Sequence, residues 1–132
     1  MNRRQARENA FAIIFETLFS DEKWKDLVDF AEELKLLSFD SYAEQLIRGT
    51  VTMRAILDTK ITPYLRKWEL CRIPRASLAI LEMAFYEILY MDEIDPPVTI
   101  NEAVELAKKY ATPEDASFIN GVLGSLVREQ SL

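Results

Sequence analysis

Histidine is absent from the 132-residue chain and cysteine occurs once, as Cys71. Those two absences exclude a Ser-His-Asp triad, a Cys-His dyad, a CxxC redox pair, an internal disulfide and the usual zinc ligand sets. Glycine (three residues) and proline (five) are scarce, so the turn chemistry of a many-stranded β fold is missing. With 49% hydrophobic and 29% charged residues, the chain is neither disordered nor low in complexity. No charge-free run reaches the roughly 18 residues of a membrane span, and the N-terminus leads into amphipathic sequence rather than a signal peptide. A soluble, cytoplasmic, helical protein is expected, folded as one domain with room for a real core.

The net charge of −6 argues against indiscriminate nucleic-acid binding, because most of the surface would repel a phosphate chain. Its distribution is uneven. Residues 1–7 carry Arg3, Arg4 and Arg7 with no acid, and residues 51–75 carry Arg54, Lys60, Arg66, Lys67, Arg72 and Arg75 against Asp58 and Glu69. Residues 21–50 carry eight acids to four bases, and residues 76–100 carry five acids and no base. Solvated helix faces account for most such runs. The pattern also suits a protein that holds a polyanion on one side and a basic partner on the other.

Hydrophobic periodicity predicts six helices. Asn2 caps the first, from Arg3 to Phe19, with Gln5 placed to bond back and Ala6, Ala10, Ile13, Ile14 and Leu18 as its stripe. Ser20-Asp21 starts the second, lined by Trp24, Leu27, Val28, Ala31 and Leu34. A third, from about Tyr42 to Leu65, reads as one long helix that kinks or ends near Pro63. Residues 68–73 form a connection, and Pro74 begins a fourth helix with Leu78, Leu81, Phe85, Ile88 and Leu89 inward. Asp95-Pro96-Pro97 breaks it. Thr99-Ile100-Asn101-Glu102 reads as the capping box of the fifth, and Thr112-Pro113-Glu114-Asp115 opens the sixth. The expected architecture is all-α: a single domain over residues 1–132, with helical subdomains at 1–68 and 74–132 forming two packed three-helix bundles.

Gly121 and Gly124 on the last helix predict close approach of a neighbour; a phosphate loop lacks its strand and lysine. The acidic groups around Asp92, Glu114 and Glu32 lack the spacing of a calcium loop, so no metal or cofactor is expected. Arg3, Arg4 and Arg7 cluster on one side of the first helix, where guanidinium groups grip phosphates or stack on bases. Periodicity alone leans toward a core role for Phe118, with a stacking platform as the alternative. Phe11 and Phe15, one turn apart, form a candidate interaction patch.

Several stretches resemble the transcription antitermination factor NusB family: Arg3-Arg4 with Ala6-Arg7-Glu8, Leu81 with Met83-Ala84-Phe85-Tyr86-Glu87, residues 98–108 (VTINEAVELAK) and residues 118–123 (FINGVL). The likeness runs through the whole chain in order and spacing. It implies an all-helical fold of two three-helix bundles and a role without catalysis. It further implies binding of single-stranded boxA RNA in ribosomal RNA leader transcripts, in company with NusE, a small-subunit ribosomal protein, and action on RNA polymerase with other Nus factors. By matching position, the RNA contacts fall on Arg3, Arg4, Arg7 and Phe118, and the partner contacts on Phe15 and Glu114. Gln5 stands where the family often has a further arginine, Glu82 replaces a common arginine and Gly124 a common aspartate. Two rival readings are a helical appendage like that of ribosomal RNA cytosine methyltransferases and a homodimer that masks its RNA face.

Overall fold

A computed structural model describes residues 1–66 and 68–130; Lys67 of the basic stretch, Ser131 and Leu132 lie outside the described residues. The described residues form α1 (Arg3–Glu16), α2 (Trp24–Glu33), α3 (Ser41–Thr52), α4 (Arg54–Ile61), α5 (Arg75–Tyr90), α6 (Pro96–Tyr110) and α7 (Pro113–Glu129). Single 3₁₀ turns at Thr62–Tyr64 and Leu70–Arg72 complete the order, and no strand occurs among them. None of these helices is long and apolar enough to cross a membrane.

Local sequence sets most helix starts. Asn2 Oδ1 accepts from the Gln5 backbone N–H at 2.8 Å, whereas the Gln5 side chain donates to Asn9 rather than back to the cap. Thr112 and Asp115 form a reciprocal capping box with Pro113 in the first turn. Two expected starts are displaced. Ser20 receives the Glu22 N–H in a turn before α2, which begins only at Trp24. Pro96 and Pro97 open α6 instead of merely breaking α5, since proline's fixed φ suits a first helical turn. Thr99 is thereby drawn inside the helix and caps nothing.

The predicted long third helix is two. Thr52 returns its hydroxyl to the Arg48 carbonyl, a bond that bends helices, and Met53 follows at φ −98°, ψ 11° before α4 continues. Pro63 lies in the 3₁₀ turn that ends α4, as its missing N–H requires.

α5 organises the molecule. Ten of its sixteen residues are buried, and it packs against α1, α3, α4, α6 and α7, so it joins the N-terminal helices to the α5–α6–α7 group. A helix apolar on nearly all sides belongs in the middle of a fold. Ile80, Leu81 and Phe85 are fully buried, each stabilising by roughly 1.5–3 kcal/mol relative to exposure. The close approach expected at Gly121 and Gly124 occurs elsewhere: a Cβ on Gly121 would meet nothing within 4 Å and one on Gly124 only the Arg128 guanidinium, whereas one on Gly49 of α3 would collide with the Tyr86 ring of α5. Phe11 is only 3% exposed and belongs to the core, because its ring is covered by Tyr110 at a centroid distance of 5.1 Å.

Glu82 on α5 is fully buried. It accepts from Arg54 Nε at 3.0 Å, and Arg54 also reaches Thr17 and the Ile14 carbonyl. Its second oxygen and Asp58 Oδ1 are buried without another donor. Burial first, then the neighbouring Asp58 carboxyl, raises the Glu82 carboxyl to about 9 against the opposing pull of Arg54.

Two stability outcomes follow from this packing. Gly49→Ala should destabilise by about 1–3 kcal/mol through overpacking against Tyr86, measurable by urea denaturation. Folded Glu82 holds its proton where unfolded Glu82 has lost it, so its contribution is full below about pH 4.5 and declines as pH rises toward 9. Glu82→Gln should flatten that decline in denaturation midpoints measured across pH 5–9; an unchanged slope would show that Glu82 is ionised when folded.

Candidate nucleic-acid interface

The first turns of α1 bring the three arginines to one side, and the fold then gives each a different setting. Arg7 is 5% exposed. Its Nε donates to both oxygens of Glu87 on α5, at 3.1 and 3.0 Å, and its Nη2 donates to the Tyr42 hydroxyl of α3 at 3.3 Å. Tyr42 in turn donates to Glu87, and the Thr99 hydroxyl of α6 donates to the other Glu87 oxygen at 2.6 Å. Burial pulls the Arg7 guanidinium downward, but the charge and hydrogen bonds of Glu87 outweigh it and hold its pKa above the ordinary value. The Tyr42 phenol is held well above its usual range by burial and then by Glu87. Four helices thus meet on one satisfied ion pair.

Arg4 lies at the surface, its side chain 67% exposed, in a two-point grip on Glu102 of α6 at 3.0 and 2.8 Å. That hydrogen bonding keeps the Glu102 carboxyl below its ordinary range. Arg3 is exposed, with its guanidinium carbon 4.0 Å from the centre of the Tyr42 ring, a cation–π placement. Arg4, Arg7, Lys108 and Lys109 share the walls of a groove of about 360 Å³ with Glu8, Glu102 and Glu105. Lys109 is paired with Glu8 at 2.8 Å. The groove therefore carries four bases against three acids, close to neutral.

The other expected contacts lie on separate walls. Phe118, half-buried on α7, packs against the core and also lines a cleft with Trp68, Arg72, Glu114 and Asp115. Phe15 is the middle of an aromatic ladder, 5.7 Å from Phe11 and 5.0 Å from Phe19, with Arg75 over the Phe19 ring at 4.9 Å. The structure brings Phe118 together with Glu114, and Arg3 and Arg4 together through Tyr42, Arg7 and Glu102. The groove lined by Arg4 and Arg7 does not reach Phe118.

Sequence reasoning did not identify Tyr42, Glu87, Thr99 and Glu102 as the frame of the arginines. One signal was present: residues 76–100 contain no base, so a buried acid there has to find its cation on another helix. Of the three arginines expected to contact RNA, Arg7 is the least accessible, because Glu87 holds its guanidinium and the core covers it.

Arg7→Ala or Glu87→Ala should cost about 3–5 kcal/mol in urea denaturation, since either leaves a buried charge alone. Arg4→Ala should leave the denaturation midpoint nearly unchanged, because its partner stays in contact with solvent.

The NusB family model matches residues 4–128. A transcription antitermination protein NusB of Clostridium acetobutylicum is 38% identical over 130 residues, covering 96% of this chain and 96% of that protein. The solved T. maritima NusB is 32% identical with a TM-score of 0.85, covering 98% of this chain and 92% of that one. A crystal structure of NusB and NusE in complex with dsRNA, at 23% identity and a TM-score of 0.86 over 96% of each chain, shares the fold. With a family model spanning nearly its full length and a relative of this similarity, the chain belongs to the NusB family of transcription antitermination proteins.

Proposed function

We propose that this protein is an antitermination factor that works by contact alone: it binds single-stranded boxA RNA of ribosomal RNA leader transcripts jointly with NusE, and the complex acts on RNA polymerase with other Nus factors in the cytoplasm. The observation that carries this reading is the fixed placement of two exposed guanidinium groups, Arg3 on the Tyr42 ring and Arg4 on Glu102, by a buried frame. Groups already ordered lose less entropy when they take up phosphates. Arg3 and Arg4 meet the phosphate chain, Arg7 positions them through Tyr42 and Glu102, and Phe118 stacks a base.

The near-neutral groove sets the strength of binding. A phosphate that reaches Arg4 displaces the Glu102 carboxylate, so one charge-assisted pair replaces another and the net gain is small. Binding by this chain alone is therefore weak, and a basic partner supplies the missing charge. The aromatic surface of Phe15, Phe19 and Tyr110 on one side and the acidic Glu114 on another suit NusE. The solved complex of a NusB with NusE and dsRNA supports that choice of partner.

The test is fluorescence anisotropy with a boxA-type oligonucleotide and a scrambled one, each with and without NusE. Preference for the boxA-type RNA that sharpens with NusE is expected; equal binding of both in every condition would sink the reading. Contacts from Arg3 and Arg4 contribute about −1.4 to the slope of log affinity against log salt, and Arg3→Ala or Arg4→Ala should each reduce the slope by about 0.7.

A further inference from the structure

Next to Phe118 lies a second cleft, of about 370 Å³, formed where the chain leaves the 3₁₀ turn after α4 and passes α7. Its walls are aromatic: Tyr64, Trp68 and Phe118. Arg66 is its charged residue, Ser117 and Ser125 add hydroxyls, and Gly121 leaves it open. No carboxylate lines it. Trp68 is 54% exposed. It is nonetheless tied down, because its backbone N–H donates to the carbonyl of Leu65 at 3.0 Å, and Leu65 is fully buried. Arg66 between them adopts φ 58°, a left-handed conformation that costs about 1 kcal/mol or more in a residue other than glycine. The chain accepts that cost to reverse direction and present Arg66 and Trp68 side by side.

We propose that this cleft is a nucleotide pocket: one unstacked base of the bound RNA lies against Trp68 and Phe118 over the bare Gly121 backbone, and Arg66 takes its phosphate. The proposal rests on the RNA-binding reading and adds to it a site distinct from the arginine groove. Three observations support a nucleotide as occupant. Aromatic walls offer the flat π-faces on which single-stranded bases stack. The charged side chain on its walls among the described residues is a cation, Arg66, while the nearby acids lie outside the cleft, Glu129 bonded to Tyr64 and Glu114 and Asp115 on the adjoining cleft that shares Trp68 and Phe118. The cleft is also continuous with the open face of Phe118. Gly121 then has a reason to be where it is: mid-helix glycine costs about 1 kcal/mol relative to alanine, no neighbouring helix needs the space, and the cleft does.

The chain contains two tryptophans, Trp24 and Trp68, so Trp24→Phe leaves Trp68 as sole reporter. Adding a boxA-type RNA oligonucleotide should quench its emission, with anisotropy following binding in parallel. Trp68→Ala should weaken RNA binding by between about fivefold and a hundredfold, the range for one stacked base. Gly121→Leu, whose Cβ meets no neighbour, should raise the melting temperature or leave it unchanged while weakening RNA binding about tenfold or more. Loss of affinity beside gained stability separates an occupied pocket from a packing role. Unchanged RNA affinity in both variants with unquenched Trp68 would overturn the pocket and leave the RNA-binding reading intact. A Trp68 response to NusE alone, with none to RNA, would reassign the cleft to protein contact and also overturn it. Failure of the unaltered protein with NusE to bind any RNA would remove both.

Discussion

The Arg7–Glu87 pair is the contact on which the rest of this fold depends. Each member comes from a different half of the chain, and the hydroxyls of Tyr42 and Thr99 complete the hydrogen bonding of the carboxylate. α1, α3, α5 and α6 therefore share one polar point within the core. Such a pair adds little net stability over a well-packed hydrophobic substitute, because both ions are taken out of water. Its value is positional: apolar side chains slide past one another at small cost, whereas a guanidinium that must reach two oxygens and a phenol admits one arrangement of the four helices.

That arrangement governs the surface above it. Tyr42, fixed from below by Glu87 and Arg7, offers its ring to Arg3, and Glu102, on the same face of α6 as Thr99, holds Arg4. The cationic surface is thus an outward extension of a buried polar network. It is also largely self-compensated, Arg4, Arg7 and Lys109 each pairing with an acid while Arg3 lies on the Tyr42 ring, which reconciles an arginine-rich turn with a protein of net charge −6. A surface of this kind discriminates by geometry and by partner more than by field strength.

The helical class and the two-bundle architecture were readable in the sequence because apolar residues recur at spacings of three and four through most of the chain, most sharply in α2 and α3, and because Asn2 and Thr112 are unambiguous caps. The errors share a cause: each concerned a residue whose local propensity was outweighed by a distant partner. Thr99 has the sequence of a cap, but Pro96 and Pro97 started α6 earlier and Glu87 required a hydroxyl. Met53 carries no breaker signal; the bend comes from the Thr52 hydroxyl returning to Arg48. The glycine that admits a neighbouring helix is Gly49, and only the position of Tyr86 reveals it. For the site, residue types pointed to the arginines and Phe118, but charge counting could not separate a buried Arg7 from an exposed Arg4, since they differ only in which carboxylate faces them.

α1 carries the arginines in its first two turns and Phe15 in its last. Twelve residues separate Arg3 from Phe15, a distance of about 18 Å along a helix rising 1.5 Å per residue. This one helix therefore works as a ruler between the surface proposed for RNA and the surface proposed for the partner. Lengthening it by one residue between Arg7 and Phe11 would move the two surfaces only about 1.5 Å apart but rotate one against the other by about 100°, enough to point them in different directions. Over residues 8–14, register is a constraint separate from residue identity: an insertion there would disturb joint binding even if every contacting side chain remained.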